Sequence, residues 1–215
     1  MGRIGNWINR QRHNRGYGVQ SPSAFFFVTQ VLKERLPYYA YPTLEAIAEE
    51  ENHLTKHLKE LFRITNHHKP TNCIAIASPA AACAMTTAKS SVKTYCITDT
   101  MPGEKASTLL NKYGCKVLSG DILQEFATLL NGLREIGILY IGNTPQRAEL
   151  LDMALRYTND NSLIVVEGIC HDEATKTWWQ TVIANPSTII TYDLYSYGLL
   201  YFNKERIKQH YTLKK

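Results

Sequence analysis

The amino-acid sequence predicts an α/β fold built around a mostly parallel β-sheet. From residue 72 onward, short continuous apolar runs alternate with helical patterns, which is typical of a parallel sheet covered by helices on both faces. The chain has 215 residues, of which 44% are hydrophobic, enough for one sizeable core. Its last two apolar runs lie too close together for a helical crossover between parallel strands, so we expect the sheet to end in an antiparallel hairpin.

Three helices are predicted ahead of the first strand. Ser21-Pro22 is a favourable start, because serine caps a helix and proline is preorganised for its first position. A second helix is expected to start at Thr43. In the first helix, one apolar face is predicted from Phe25, Val28 and Leu32. In the third helix, an apolar face is predicted from Leu54, Leu58, Leu61 and Phe62. We expect residues 21–70 to form a helical extension packed on the core.

Residues 71–215 are predicted to form the α/β core. Its five parallel strands are expected at 73–77, 94–98, 115–118, 136–141 and 163–167. Helices are expected near 79–90, 103–113, 122–133, 146–157 and 172–184. The runs 187–193 and 198–202 are separated by four residues and form the closing hairpin. We therefore expect a Rossmann-like, mostly parallel sheet of seven strands with a terminal antiparallel hairpin, a strand pattern that resembles that of the class I methyltransferases, which use S-adenosylmethionine.

Charge is distributed unevenly along a chain of net charge +5. Four arginines, Arg3, Arg10, Arg12 and Arg15, precede the first acidic residue, Glu34. Residues 1–20 therefore form a basic arm, which either contacts nucleic acid or an acidic partner or is simply a solvated terminus. Four arginines are a small electrostatic footprint, so we do not expect nucleic acid to be the main partner.

Cysteine usage points to a reducing compartment. The five cysteines are odd in number and contain no C-x-x-C pair, and several lie in apolar runs where cysteine acts as a small hydrophobic residue. The apolar run 24–28 is too short for a signal sequence or a membrane span. We therefore expect a cytoplasmic protein without a membrane partner.

Residue-level similarity covers nearly the whole chain. The segment RHNRGYGVQSPSAFFFVTQVL (12–32) resembles the R-H-G-Y-G-x-H-S-P-F-x-F signature of a bacterial group of class I methyltransferase-like proteins. Further similar segments are PYYAY (37–41), LKELFRITNHHKPTNCIAIA (58–77), NDNSLIVVEGICHDEATKTWW (159–179) and DLYSYGLLYFNKERIKQHY (193–211). The resemblance implies S-adenosylmethionine as cofactor and a small-molecule oxygen nucleophile as methyl acceptor.

The loop after the first strand departs from the family pattern E-x-G-x-x-x-G, because Ala75, Ala77 and Ala81 occupy the three defining positions. If the turn requires a positive φ, an alanine costs about 1–2 kcal/mol there. Ser78-Pro79 is a sound helix start. The resemblance implies cofactor binding by Ala77, Ser78 and Ala81, while the residues themselves favour a plain strand-to-helix turn.

Two further cofactor contacts are implied by the resemblance. Asp99 follows the second strand and is a candidate for gripping the cofactor ribose, or for capping the next turn. Gly120 and Asp121 follow the third strand and resemble the segment that contacts adenine, although an aspartate in this position is also a common helix cap.

The catalytic loops have lost most of their carboxylates. The family pattern F-I-D-G-N-H corresponds to a segment that includes Gly142 and Asn143, and the pair D-D-I-H corresponds to Glu167-Gly168-Ile169-Cys170. If the chain is active, the resemblance makes Glu167 or the nearby His171 the candidate general base. Because Mg²⁺ prefers carboxylate oxygens, we expect no divalent metal site.

These observations favour a divergent methyltransferase whose activity is reduced or lost. Two alternatives stay open. One is a non-catalytic protein that keeps the fold to bind a protein partner, motivated by changes in three separate loops. The other is nucleic-acid association through the basic arm, motivated by the charge asymmetry alone.

Overall fold

The computed structural model describes residues 21–213, so the predicted basic arm lies outside the described residues. Its N-terminal helices are α1 (Pro22–Phe26), a π-helical segment (Phe27–Leu32), α2 (Tyr41–Glu50) and α3 (Thr55–His68). The helices that follow are α4 (Pro79–Ala88), α5 (Glu104–Lys112), α6 (Ile122–Gly132), α7 (Arg147–Leu155) and α8 (Glu173–Ala184). The strands are β1 (Asn72–Ile76), β2 (Lys93–Thr98), β3 (Lys116–Ser119), β4 (Ile138–Ile141), β5 (Leu163–Glu167), β6 (Ile190–Asp193), β7 (Tyr197–Tyr201) and β8 (Gln209–Thr212).

All of these strands join one sheet in the order β3-β2-β1-β4-β5-β7-β6-β8. Strands β1 to β5 pair in parallel, and β7 pairs antiparallel with both β5 and β6, which confirms the expected closing hairpin. The strand order reverses between β1 and β4, and ligands of open α/β sheets bind beyond the carboxyl ends of the strands at such a point.

The sheet has eight strands rather than the seven expected from the sequence. The additional strand, β8, pairs in parallel with β6, with Ile190 opposite Gln209. Its sequence is QHYT, which contains no apolar run. The strand is defined by backbone pairing at the edge of the sheet, where polar side chains are common, and such pairing leaves no periodic signal in the sequence.

Two apolar cores lie on opposite faces of the sheet. Successive residues of β1 belong to different cores. Cys73 and Ala75 pack in the core with helices α1 to α5, whereas Ile74 and Ile76 pack in the core with α6 to α8. The period-2 alternation of a strand sends successive side chains to opposite faces, so both sets are apolar when helices cover both faces. None of the helices in residues 21–213 is long and apolar enough to cross a membrane.

In two of the predicted apolar helix faces, the first residue is exposed rather than buried. Phe25 is 47% exposed, because the helix continues as a π-helical segment in which the Lys33 amide donates to the Val28 carbonyl and the helical periodicity shifts. Leu54 is 62% exposed, because α3 begins after it, at Thr55.

A buried arginine ties α3 to the end of the π-helical segment. Arg63 donates from Nε to the Val31 carbonyl at 2.7 Å and from Nη2 to the Leu32 carbonyl at 2.8 Å. Its third hydrogen bond, from Nη1, reaches the hydroxyl of Tyr41 at 2.8 Å. Arg63 is only 8% exposed. Its planar guanidinium thus supplies the donors that the helix-end carbonyls need.

The cysteines allow a direct test of this packing. None of the five forms a disulfide, and burial raises the pKa of Cys73, Cys96 and Cys115 to about 12 and that of Cys83 further. Because the thiolate is the reactive form, we expect dithionitrobenzoate to modify the half-buried Cys170 quickly in the native protein and all five thiols in denaturant. Rapid modification of two or more thiols in the native protein would contradict the described core.

Candidate functional site

The turn after β1 keeps a glycine-type backbone without a glycine. Ala77 has a φ of 53°, in the left-handed region that glycine adopts freely and that costs an alanine about 1–2 kcal/mol. Its amide donates to the Ile97 carbonyl of β2 at 2.8 Å, so the strained conformation is held by the sheet. The turn that the resemblance assigns to the cofactor (the cofactor turn, Ala77 with Ser78) thus has a left-handed backbone and an added methyl group.

The helix that follows this turn is capped by its own side chain. The Ala81 amide donates to the Oγ atom of Ser78 at 3.2 Å, and Pro79 has no amide hydrogen to offer. Ser78 and Ala81 are 5% and 0% exposed. An anionic ligand would normally be held by free amides at such a helix start, so here the methionine end of a cofactor has few donors available.

Gly142 explains why no carboxylate follows β4 at this position. Its amide donates to the Ile76 carbonyl at 2.9 Å, and a Cβ atom on Gly142 would lie 2.6 Å from the Ala77 carbonyl oxygen. Any larger residue would push against the backbone of the cofactor turn. The loop after β4 thus packs directly on the turn after β1.

The ends of β2 and β3 lie side by side. The Gly120 amide donates to the Thr98 carbonyl at 3.4 Å, which brings Gly120 beside the residue before Asp99. Asp99 and Gly120 are exposed. Asp121 is also exposed and caps α6, since its Oδ1 atom accepts from the Gln124 amide at 2.8 Å. Asp99 and Gly120 leave an open surface at the expected ribose position, whereas the Asp121 carboxylate is already engaged.

Glu167 lies at the carboxyl end of β5, in a cluster of titratable side chains. Its Oε1 atom is 3.4 Å from Nε2 of His53, and the Tyr140 hydroxyl of β4 also bonds to the carboxylate. Burial raises the pKa of Glu167, but the hydrogen bonds from His53 and Tyr140 and the charge of His53 outweigh it, so the pKa lies below its ordinary value. Burial and the neighbouring Glu167 raise the pKa of Tyr140, which keeps that hydroxyl protonated.

His57 is the second histidine of this cluster. It lies in the first turn of α3, and its Nε2 atom is 2.7 Å from Oγ of Ser196 in the loop before β7. The rings of His53 and His57 meet edge to face at 6.0 Å. His53, His57 and Glu167 each offer one donor atom, and these atoms all lie within 4.8 Å of one another.

The two histidines were missed by the sequence interpretation, which concentrated on the loops after the strands. The sequence carries no periodic signal for this pair, because His53 precedes α3 and only His57 lies in the helix. His171, proposed from the sequence beside Glu167, is exposed in the turn before α8, where its amide donates to the Gly168 carbonyl. Its role stays a prediction.

A separate cavity of about 460 Å³ opens at the other end of the sheet. Residues before β1, β4 and β5 contribute to its wall, so it lies at the amino ends of the parallel strands. Its polar lining includes His67, His68, Lys69, Asn161 and Arg206. It is remote from Glu167 along the strand direction and does not share the geometry expected for a cofactor of this fold.

Solved structures with a similar architecture include methyltransferases. The chain is similar to a provisionally assigned O-methyltransferase from Klebsiella pneumoniae, with a TM-score of 0.65 and 14% identity, over 81% of this chain and 95% of that one. A provisionally assigned caffeoyl-CoA O-methyltransferase from Staphylococcus aureus gives 0.53 and 11%, over 92% and 99%. MycE, a methyltransferase of mycinamycin biosynthesis solved with Mg and S-adenosylhomocysteine, gives 0.53 and 12%, over 80% and 51%. No protein-family model and no curated protein sequence matches the chain.

Together with the strand order, these similarities show the class I methyltransferase fold. Asp99 and Gly120 are open to solvent, which fits the ribose and adenine contacts expected for an S-adenosyl ligand. The fit is poorer at the expected methionine end, because the Ala81 amide already donates to Ser78. S-adenosylmethionine stays a predicted cofactor for this chain.

Proposed function

We propose that the chain binds S-adenosylmethionine and transfers its methyl group to a small-molecule oxygen nucleophile, at a rate reduced by the altered cofactor turn. The observation that carries the proposal is the Glu167 carboxylate. It lies at the carboxyl end of β5, three-quarters or more of its side chain is covered, and two side chains hydrogen-bond to it. Such a group is costly to bury unless it is used or well satisfied.

In this proposal, Glu167 accepts the proton of the acceptor hydroxyl as its oxygen attacks. Tyr140 donates a hydrogen bond to the carboxylate and His53 pairs with it, so both act as positioning residues. The cofactor, when bound, supplies an activated methyl group. Asp99 would hold its ribose and Gly120 would contact its adenine, while Ala77 and Ser78 would face its methionine end.

Ala77 offers a test of why the activity should be reduced. Replacing Ala77 with glycine is expected to raise the free energy of unfolding by about 0.5–1 kcal/mol, because relief of the left-handed strain exceeds the added flexibility of the unfolded chain. The same change should tighten binding of S-adenosylhomocysteine, because it removes the added methyl group. Denaturant unfolding and calorimetric titration measure the two effects.

The matched control is Ala84→Gly, in α4 of the same segment and in right-handed helical backbone. That change is expected to lower stability by about 1 kcal/mol and to leave the turn unaltered. If Ala77→Gly destabilises the protein as much as the control does, the strain assigned to Ala77 is absent.

A second candidate is a non-catalytic protein that uses the fold to bind a protein partner. The observation that favours it is the start of α4, which offers few free donors to a ligand. The Ala81 amide donates to the Ser78 hydroxyl, and Pro79 has no amide hydrogen. Calorimetric titration with S-adenosylhomocysteine, with and without Mg²⁺, separates the two. Micromolar binding supports the enzyme, whereas no heat at millimolar ligand in either the wild type or Ala77→Gly supports the binding protein.

Nucleic-acid association through residues 1–20 is a further proposal, for which salt-dependent oligonucleotide binding is the test.

A further inference from the structure

We propose that His53, His57 and Glu167 form a binding site for a first-row divalent transition-metal ion, with Zn²⁺ the best-suited ion. Each residue offers one donor atom, and the three atoms lie within 4.8 Å of one another. The proposal concerns ion binding and goes beyond the methyl transfer proposed above. It can be tested in the absence of cofactor and acceptor.

The spacing of the donors is close to that of a coordination sphere. Tetrahedral zinc with ligands at about 2.0–2.1 Å places neighbouring donor atoms about 3.3 Å apart. The distance from His53 Nε2 to Glu167 Oε1 is 3.4 Å, so this pair needs almost no movement. The remaining pairs lie within 4.8 Å, so His57 needs an adjustment of at most about 1.5 Å to reach tetrahedral spacing.

The donor types select the ion. Two imidazoles and one carboxylate suit zinc and its transition-metal neighbours, whereas Mg²⁺ prefers an all-oxygen site. The sequence-based expectation of no divalent metal rested on the missing aspartates of a magnesium site. The three donors come from different parts of the fold, namely the α2–α3 connection, the first turn of α3 and the end of β5, so they form a set only in the folded chain.

Surrounding groups hold the ligands in place. Ser196 Oγ lies 2.7 Å from Nε2 of His57, and a hydrogen bond on one ring nitrogen orients a histidine so that the other can bind a metal. The Tyr140 hydroxyl bonds to Glu167 and lies 3.3 Å from Nε2 of His53. The outer contact of His53 is made by its other ring nitrogen: Nδ1 lies 3.4 Å from the Leu54 carbonyl oxygen, so that Nε2 faces Glu167.

The site is enclosed but not sealed. His57 is 6% exposed, and the side chains of His53 and Glu167 are 10% and 20% exposed. Three protein ligands with one open side are typical of catalytic zinc, which keeps a position for water or substrate. With an ion bound, Glu167 is a ligand, and an acceptor hydroxyl bound at the open position would lose its proton more readily because the ion stabilises the alkoxide.

Calorimetric titration of chelator-treated protein with Zn²⁺ tests the proposal, with Co²⁺ absorption as a second measure of coordination. We expect one ion per chain, and loss of at least about tenfold in affinity in His53→Ala and in Glu167→Gln. His210→Ala, which changes an exposed histidine of β8 outside the cluster, is the control and should bind Zn²⁺ like the wild type. Mg²⁺ should give no comparable heat.

Two outcomes would overturn the proposal. One is the absence of saturable Zn²⁺ binding, which would leave only a hydrogen-bonded cluster. The other is binding that His53→Ala and Glu167→Gln do not weaken, which would move the ion to other histidines such as His67 and His68. Circular dichroism of each variant verifies folding. If the alanine variant does not fold, His53→Gln replaces it, because glutamine is close to histidine in size.

The metal site and the proposed enzyme can fail separately. Zinc binding without S-adenosylhomocysteine binding would support the metal site and reject the proposed enzyme. Binding of S-adenosylhomocysteine without zinc binding would support the enzyme and reject the metal site.

Discussion

Replacing Arg63 with leucine is expected to lower the free energy of unfolding by about 3 kcal/mol. The side chain is nearly buried and makes three hydrogen bonds, to the carbonyls of Val31 and Leu32 and to the hydroxyl of Tyr41. Leucine fills much of the space but leaves two helix-end carbonyls without their donors, and each unsatisfied buried polar group costs about 1–3 kcal/mol. Denaturant unfolding followed by circular dichroism measures the loss.

Arg134→Leu is the matched control, because Arg134 is exposed in the α6–β4 connection and surface changes of this kind are usually within about 0.5 kcal/mol. Arg63→Lys should fall between the two, since lysine keeps the charge but not the planar fork. A loss below about 1 kcal/mol in Arg63→Leu would show that the guanidinium does not anchor the N-terminal helices.

Replacing Glu167 with glutamine is expected to reduce methyl transfer by about a hundredfold or more. The change keeps the size of the side chain but removes the carboxylate that takes the acceptor proton, and proton transfer of this kind contributes about 10²–10⁴-fold in enzymes. Affinity for S-adenosylhomocysteine should stay within about twofold, because Glu167 lies at the carboxyl end of β5 and the ribose is expected after β2. Formation of S-adenosylhomocysteine from the cofactor, with a panel of phenols and catechols as acceptors, is the measurement.

The control for this variant is Glu173→Gln, at the start of α8, where the side chain is 88% exposed. This variant makes the same glutamate-to-glutamine change at an exposed position and should leave turnover unchanged. Wild-type turnover in Glu167→Gln would remove Glu167 from catalysis. Equal losses of turnover and of cofactor affinity would instead indicate a structural defect.

The cofactor turn and the histidine–glutamate cluster differ in different ways from the methyltransferase pattern that the sequence resembles. At the turn, a glycine conformation persists under an alanine, so the backbone of the sheet rather than the residue determines its shape. At the cluster, a carboxylate at the end of β5 is joined by histidines from α2–α3 and α3. The N-terminal helices therefore contribute to the chemistry proposed at the end of the sheet, as well as covering one of its faces.

Much of the fold could be predicted from the sequence because its signals are local. β5 was predicted with its observed bounds, Leu163–Glu167, since a strand buried on both faces must be a continuous apolar run. The start of α4 was visible in Ser78-Pro79 and that of α6 in Asp121, because a cap is a short-range hydrogen bond. The sequence predicted strain at Ala77 only if the turn required a positive φ, because an alanine stands there at a glycine position. The structure shows that φ is positive.

What the sequence determined is thus the order of strands and helices, the closing hairpin and the departure of the cofactor turn from its pattern. Only the tertiary structure decided that β8 extends the sheet, that Gly142 excludes a side chain beside Ala77, and that His53 meets Glu167. The physical reason is distance along the chain. Periodicity and caps act between neighbouring residues, whereas the contacts of a site are set by strand order and by packing between elements far apart in sequence.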